Sequence, residues 1–273
     1  MIRKIMKNIQ PQTNLFGVGL GATISITMIA GAAATPAFAH FLELIPSTDI
    51  VGAEGERTIT LEAVFTHPFE RGPAMEMAPP TRFGVRLGKT DQELTNTLEA
   101  MKVDGKSAYR SRYTFKEPGD YVFYIKPSPY WEAAEGKSII HYTKVVVDAF
   151  GGEEGWDTLV GLPVEIEPLT RPYGLWTGNA FSGLVRKGGK PVPFATVEVE
   201  WRNDGSVKAP ADPFVTQVIK TDAHGVFTYA MPRAGWWGFA ALVEGDKPLP
   251  DPKGKPAPVE LGGLIWVRAV DMK

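Results

Sequence analysis

Short segments of alternating apolar and polar residues, broken every few positions by glycine and proline, dominate this chain from residue 40 onward. Alternation of period two suits a β-strand with one buried face and does not suit an amphipathic helix. From Arg57 to Phe65, Ile59, Leu61, Ala63 and Phe65 share one face, while Thr58, Thr60 and Glu62 share the other. Arg82 to Leu87 is a further strand, and Asp91 to Leu98 reads as a loop or one helical turn. Ser111 to Phe115 and Tyr121 to Ile125 flank the Pro118-Gly119-Asp120 turn as a hairpin. Ser138 to Val147 is a long apolar strand that ends in three valines, and Pro127 to Gly136 is the long connection before it. The 29 glycines and 23 prolines among 273 residues supply the turn chemistry that such a design needs.

A region rich in Gly, Pro and Glu between Phe150 and Pro172 reads as a linker, after which the strand pattern resumes near Trp176. Phe181 to Val185, Ala195 to Trp201, Val215 to Lys220, Gly225 to Tyr229, Gly238 to Glu244 and Gly262 to Val270 are its strands. The expectation is an all-β protein of two β-sandwich domains, immunoglobulin-like or transthyretin-like, spanning residues 40–160 and 161–273.

The first 39 residues have a different character. Arg3, Lys4 and Lys7 form a basic start, Leu15 to Ala34 is nearly uncharged, and Ala37-Phe38-Ala39 is an A-x-A cleavage signal. A cleaved signal peptide, a periplasmic location and a soluble product are expected, with His40 as the new first residue. Removal of those three bases takes the formal charge from -2 to about -5. A mildly acidic protein without a basic, aromatic-rich patch is not expected to bind nucleic acid. Cysteine is absent, which excludes disulfides, thiolate ligands and iron–sulfur sites.

Four histidines occur, at 40, 67, 141 and 224. A terminal His40 would offer an amine and an imidazole from one residue. His67 follows a strand and precedes Pro68, and His141 shares a strand face with Ile139, Thr143 and Val145. Together His40, His67 and His141 would give four nitrogen donors for Ni²⁺ or Co²⁺, with Cu²⁺ as a further option. Glu43, Glu70, Asp120 and Glu132 are candidates for oxygen donors or for orienting the imidazoles. Met75 and Met77 are weaker candidates as soft ligands, and Tyr130-Trp131 reads as a partner contact.

The chain resembles the DUF4198 family at several places. They are His40-Phe41-Leu42-Glu43-Leu44-Ile45-Pro46, Phe65-Thr66-His67-Pro68-Phe69-Glu70, Lys116-Glu117-Pro118-Gly119-Asp120-Tyr121, and Thr221 to Phe227 with Pro232 to Trp237. That resemblance implies a NikK-like periplasmic component of ABC-type cobalt or nickel transport, non-enzymatic and delivering its ion to a membrane uptake transporter of the ABC or energy-coupling type. His224 stands where relatives often carry Asn in a turn, which argues against it as a ligand. Two other readings of the same residues stay open: a copper enzyme of the histidine-brace kind, and a structural or carbohydrate-binding module without metal. No phosphate-cradling glycine loop, H-E-x-x-H motif or cysteine nucleophile is present.

Overall fold

The computed structural model describes residues 40–273; the leader, its basic start and its A-x-A site lie outside the described residues. The first half supplies β1 (Phe41–Pro46), β2 (Ile50–Val51), β3 (Thr58–Thr66), β4 (Arg82–Leu87), β5 (Thr90–Glu93), β6 (Glu99–Val103), β7 (Lys106–Thr114), β8 (Gly119–Lys126), β9 (Tyr130–Glu132) and β10 (Lys137–Ala149). The second supplies β11 (Val164–Pro168), β12 (Leu175–Trp176), β13 (Ala180–Lys187), β14 (Lys190–Pro191), β15 (Thr196–Trp201), β16 (Gln217–Lys220), β17 (Val226–Ala230), β18 (Gly235–Glu244), β19 (Leu249–Pro250), β20 (Pro256–Ala257) and β21 (Val259–Val270). The protein is therefore all-β, as its alternation predicts. Among the described residues no helix is long and apolar enough to cross a membrane.

Both halves contribute to one eleven-stranded sheet, whose main path runs β16-β15-β18-β21-β10-β8-β4-β5. Its central seam is the parallel pairing of β10 with β21, from Ser138 opposite Val259 to Val145 opposite Trp266. Two four-stranded sheets, β1-β3-β7-β6 and β11-β13-β14 with β17, and the two-stranded pair β19-β20 complete the architecture. Alternation along β21 shows how they are placed. Leu264 and Trp266 enter the core that contains β1 and β3, whereas Ile265 and Val267 enter the core that contains β13 and β15. Successive side chains point to opposite faces of a strand, so the two smaller sheets cover opposite faces of the shared one.

This burial on both sides explains why β10 and β21 are so apolar. On the β10 face opposite His141, Lys144 is fully buried and pairs with Glu165 at 2.8 Å. The amides of Val160, Gly161 and Leu162 also donate to the Glu165 carboxylate. Burial pulls the Lys144 pKa down, and the neighbouring carboxylate opposes it. Gly263 lets β11 come close, because a Cβ there would meet Val164 and Glu165 backbone at 2.9 Å.

Several details differ from the sequence expectation. The connection from Pro127 to Gly136 contains β9, which pairs with the start of β10 through Tyr130 opposite Ile139. The segment from Asp91 to Leu98 is divided between β5 and a 3-10 turn at Thr95–Thr97. Removing one partner of a buried ion pair leaves the other charge uncompensated. Lys144→Met is expected to lower the unfolding free energy by about 3 kcal/mol, read as a lower urea midpoint; an unchanged midpoint would contradict this role for the pair.

Candidate functional site

The site begins with a strand register. β1 and β3 pair antiparallel with Phe41 opposite Thr66. One step further along each strand stand His40 and His67, so the pairing itself brings them together. Their ring centroids are 4.8 Å apart, tilted by 46°. Phe65, two residues before His67 in the chain, stacks on His40 at 5.6 Å and meets His141 edge-on at 5.8 Å. Tyr130 of β9 closes another side, 5.9 Å from the His40 ring. The three histidines named from sequence therefore gather around Phe65. His224 is exposed in its turn, where its amide donates to the Asp222 carboxylate.

His40 and His141 nevertheless address different carboxylates. His40 Nε2 lies 3.1 Å from a carboxylate oxygen of Glu132. Burial is the main force lowering the His40 pKa, to about 4, and His67 adds to it; Glu132 opposes this but does not prevail. At neutral pH His40 is therefore an uncharged ring whose Nε2 faces the Glu132 carboxylate.

His141 is only 3% exposed, and neither of its ring nitrogens has a hydrogen-bond partner. Its Nε2 lies 3.7 Å from Oε1 of Glu260, within reach of charge attraction but too far for a direct hydrogen bond. Its ring rests on Gly262, where a Cβ would come within 2.4 Å of Cδ2 and 3.0 Å of Nε2. The register placing His141 opposite Gly262 thus leaves room for the ring. Burial would raise the Glu260 pKa, but His141 and Lys137 beside it hold the carboxyl down at about 2. Lys137 reaches Glu135 at 2.5 Å and Glu260 at 2.6 Å.

Beside the histidines lies a pocket with a volume of about 30 Å³, lined by Leu42, Phe65, Met77, Tyr130, Ile139 and His141, with Glu76 also on its wall. On that scale it accommodates about two waters or one small polar head group. Met75 and Met77 are both buried in the first core, and Met77 helps to form the pocket wall. Glu43 pairs with Arg202 at 2.9 Å, Asp120 accepts the Tyr173 hydroxyl at 2.7 Å, and Glu70 is exposed. Of the carboxylates named from sequence, Glu132 is the one placed against a histidine of this group. Glu260 and Lys137 were missed, because strand pairing over more than a hundred residues brings Glu260 here.

An all-β scaffold with a histidine-lined pocket at the seam of its shared sheet defines the class of this protein. The chain belongs to the DUF4198 family, described as a domain of unknown function, through a match over residues 37–245. No functionally curated protein matches it. Among solved structures, the Yersinia pseudotuberculosis adhesin InvE shares 12% identity, covering 81% of this chain and 58% of that one, with a TM-score of 0.24. The chain thus spans little more than half of that structure. The D00-D0 domain of Intimin shares 11% identity over 85% of this chain and 100% of its own, with a TM-score of 0.21. Titin Ig tandem domains A164-A165 share 9% identity over 85% and 97%, also with a TM-score of 0.21.

The expectation of metal delivery is corrected here. Among the described residues no group of three or more His, Cys, Asp or Glu has an arrangement able to hold a metal ion. The physical reason is the direction of the donors. Nε2 of His40 is engaged by Glu132, the His40 and His67 rings lie against each other, and Phe65 packs against both His40 and His141. Binding of Ni²⁺, Co²⁺ or Cu²⁺, metal transport and a copper-brace enzyme are accordingly not supported. The family match carries no nickel or cobalt role either.

The lowered His40 pKa sets a pH dependence. Between pH 6.5 and about 4 the unfolded chain takes a proton at residue 40 that the folded chain refuses. Stability from this residue is present above pH 6.5 and is lost as pH falls, by up to about 3 kcal/mol. Urea unfolding at pH 7 and pH 4 should show a smaller loss for His40→Gln than for the unaltered chain; equal losses would contradict the assignment.

Proposed function

We propose that this chain is an exported binding module without catalytic activity, built on immunoglobulin-like or transthyretin-like sandwiches, in which His141, with His40 and His67 nearby, faces a small organic ligand. The observation that carries this reading is His141, a buried imidazole on the wall of a pocket with both ring nitrogens unpartnered. A buried polar group without a partner costs roughly 1–3 kcal/mol, which a ligand able to hydrogen-bond with it would recover. The surroundings favour binding over catalysis. The one serine hydroxyl on the wall, that of Ser128, donates to the Pro79 carbonyl at 2.7 Å, and the neutral His40 ring is already directed at Glu132. Names such as adhesin and Intimin among the loosely similar structures fit a binding role in kind only.

Export rests on the leader sequence, with its basic start, apolar run and A-x-A site. Mass spectrometry of the protein recovered from its host should find His40 as the first residue. The binding role is tested by screening small polar fragments against isotope-labelled protein and reading the imidazole resonances. Fragments that bind are expected to shift His141 and, more weakly, His40, while His224 stays unmoved. A screen in which no fragment shifts His141 would overturn the reading.

A further inference from the structure

The electrostatics around the pocket define the chemical class of its ligand, given that the pocket is a ligand site as proposed above. Glu76 lines the pocket, Glu132 holds His40, and Glu260 lies beside His141. Lys137, the cation placed among them, is already tied to Glu135 and Glu260. The surroundings are therefore net negative and disfavour an anion.

The hydrogen-bonding capacity points the same way. In His141, Nε2 is the nitrogen turned toward the Glu260 carboxylate, so it is the natural carrier of the ring proton. The Nδ1 lone pair is then the open valence of a ring nitrogen that has no partner. With the Glu76 carboxylate on the same wall, this open nitrogen suits a ligand that donates hydrogen bonds. The rings of Phe65 and Tyr130 on the same wall add π-faces that attract a cation. Finally, a volume of about 30 Å³, room for about two waters, admits an ammonium with its first methylenes at the mouth and little more.

We propose that the pocket takes a protonated primary amine, with its ammonium head bonded to His141 and balanced by Glu76, and its first methylenes against Phe65 and Met77. A free alkylamine and the lysine side chain of a partner protein share this chemistry.

The test is calorimetric titration of the purified protein at pH 7 with n-butylammonium, n-butanol, butyrate and a lysine blocked at its α-amine and carboxyl. Butylammonium or the blocked lysine is expected to bind at least roughly tenfold more tightly than butanol, and butyrate not at all. The tighter of the two amines identifies the source as a free amine or a partner's lysine. Glu76 is exposed, so Glu76→Gln is expected to fold normally. It should weaken the amine by roughly fivefold while leaving butanol unchanged. Butanol or butyrate binding as well as the amines, with a shift at His141, would overturn the amine assignment alone. Binding of none of these probes, together with a fragment screen that leaves His141 unmoved, would overturn the site itself.

Discussion

The parallel pairing of β10 with β21 is the constraint on which the rest of the molecule depends. It joins a strand ending at Ala149 to one beginning at Val259, so neither half can complete its sheet without the other. Parallel neighbours must be linked by a long crossover, and here the crossover is the whole of the intervening chain. Because the shared sheet is covered on both faces, much of the seam is committed to a core. Lys144 on one face and His141 on the other are the buried ionisable side chains between Ser138 and Val145, and they need local compensation. Lys144 receives it from Glu165; His141 has Glu260 nearby but no hydrogen bond.

The site follows from that seam and from one other register. β1 and β3 end together and bring His40 and His67 side by side, while the seam brings His141 up beneath Phe65. Two adjacent glycines shape the result in different ways. Gly262 leaves space for the His141 ring, and Gly263 leaves space for the backbone of β11. A side chain at either position would have to displace a close-packed neighbour. Burial then removes charge from His40, so that ring stands neutral beside the Glu132 carboxylate, while Glu260 borders His141. Such a surface accepts hydrogen bonds and attracts positive charge.

Much of the fold was legible because alternation reports burial directly. Arg57 to Phe65 and Ser138 to Val147 were read almost to their observed ends, and the face carrying Ile139, His141, Thr143 and Val145 was read correctly. The β9 strand was hidden because Tyr130–Glu132 is too short to show a period and lies next to prolines. That the strand pattern continues through one sheet was also hidden, because pairing partners far apart in sequence leave no local trace. In the site, the choice of His40, His67 and His141 as neighbours was sound, but the chemistry assigned to them was not. Residue type says that an imidazole can bind metal; only geometry says whether several lone pairs converge. Here Glu132 and Phe65 determine those directions, and neither effect can be read from spacing.

The central claim is that the buried His141 ring turns Nε2, as the proton-bearing nitrogen, toward Glu260 and leaves Nδ1 open to a ligand. Nitrogen-15 NMR of the ring in ligand-free protein at pH 7 tests it most directly, since the two nitrogens of a fixed tautomer resonate far apart. The account predicts a protonated Nε2 and an unprotonated Nδ1 that shifts when a hydrogen-bond donor is added. A proton on Nδ1, or on both nitrogens at that pH, would contradict it.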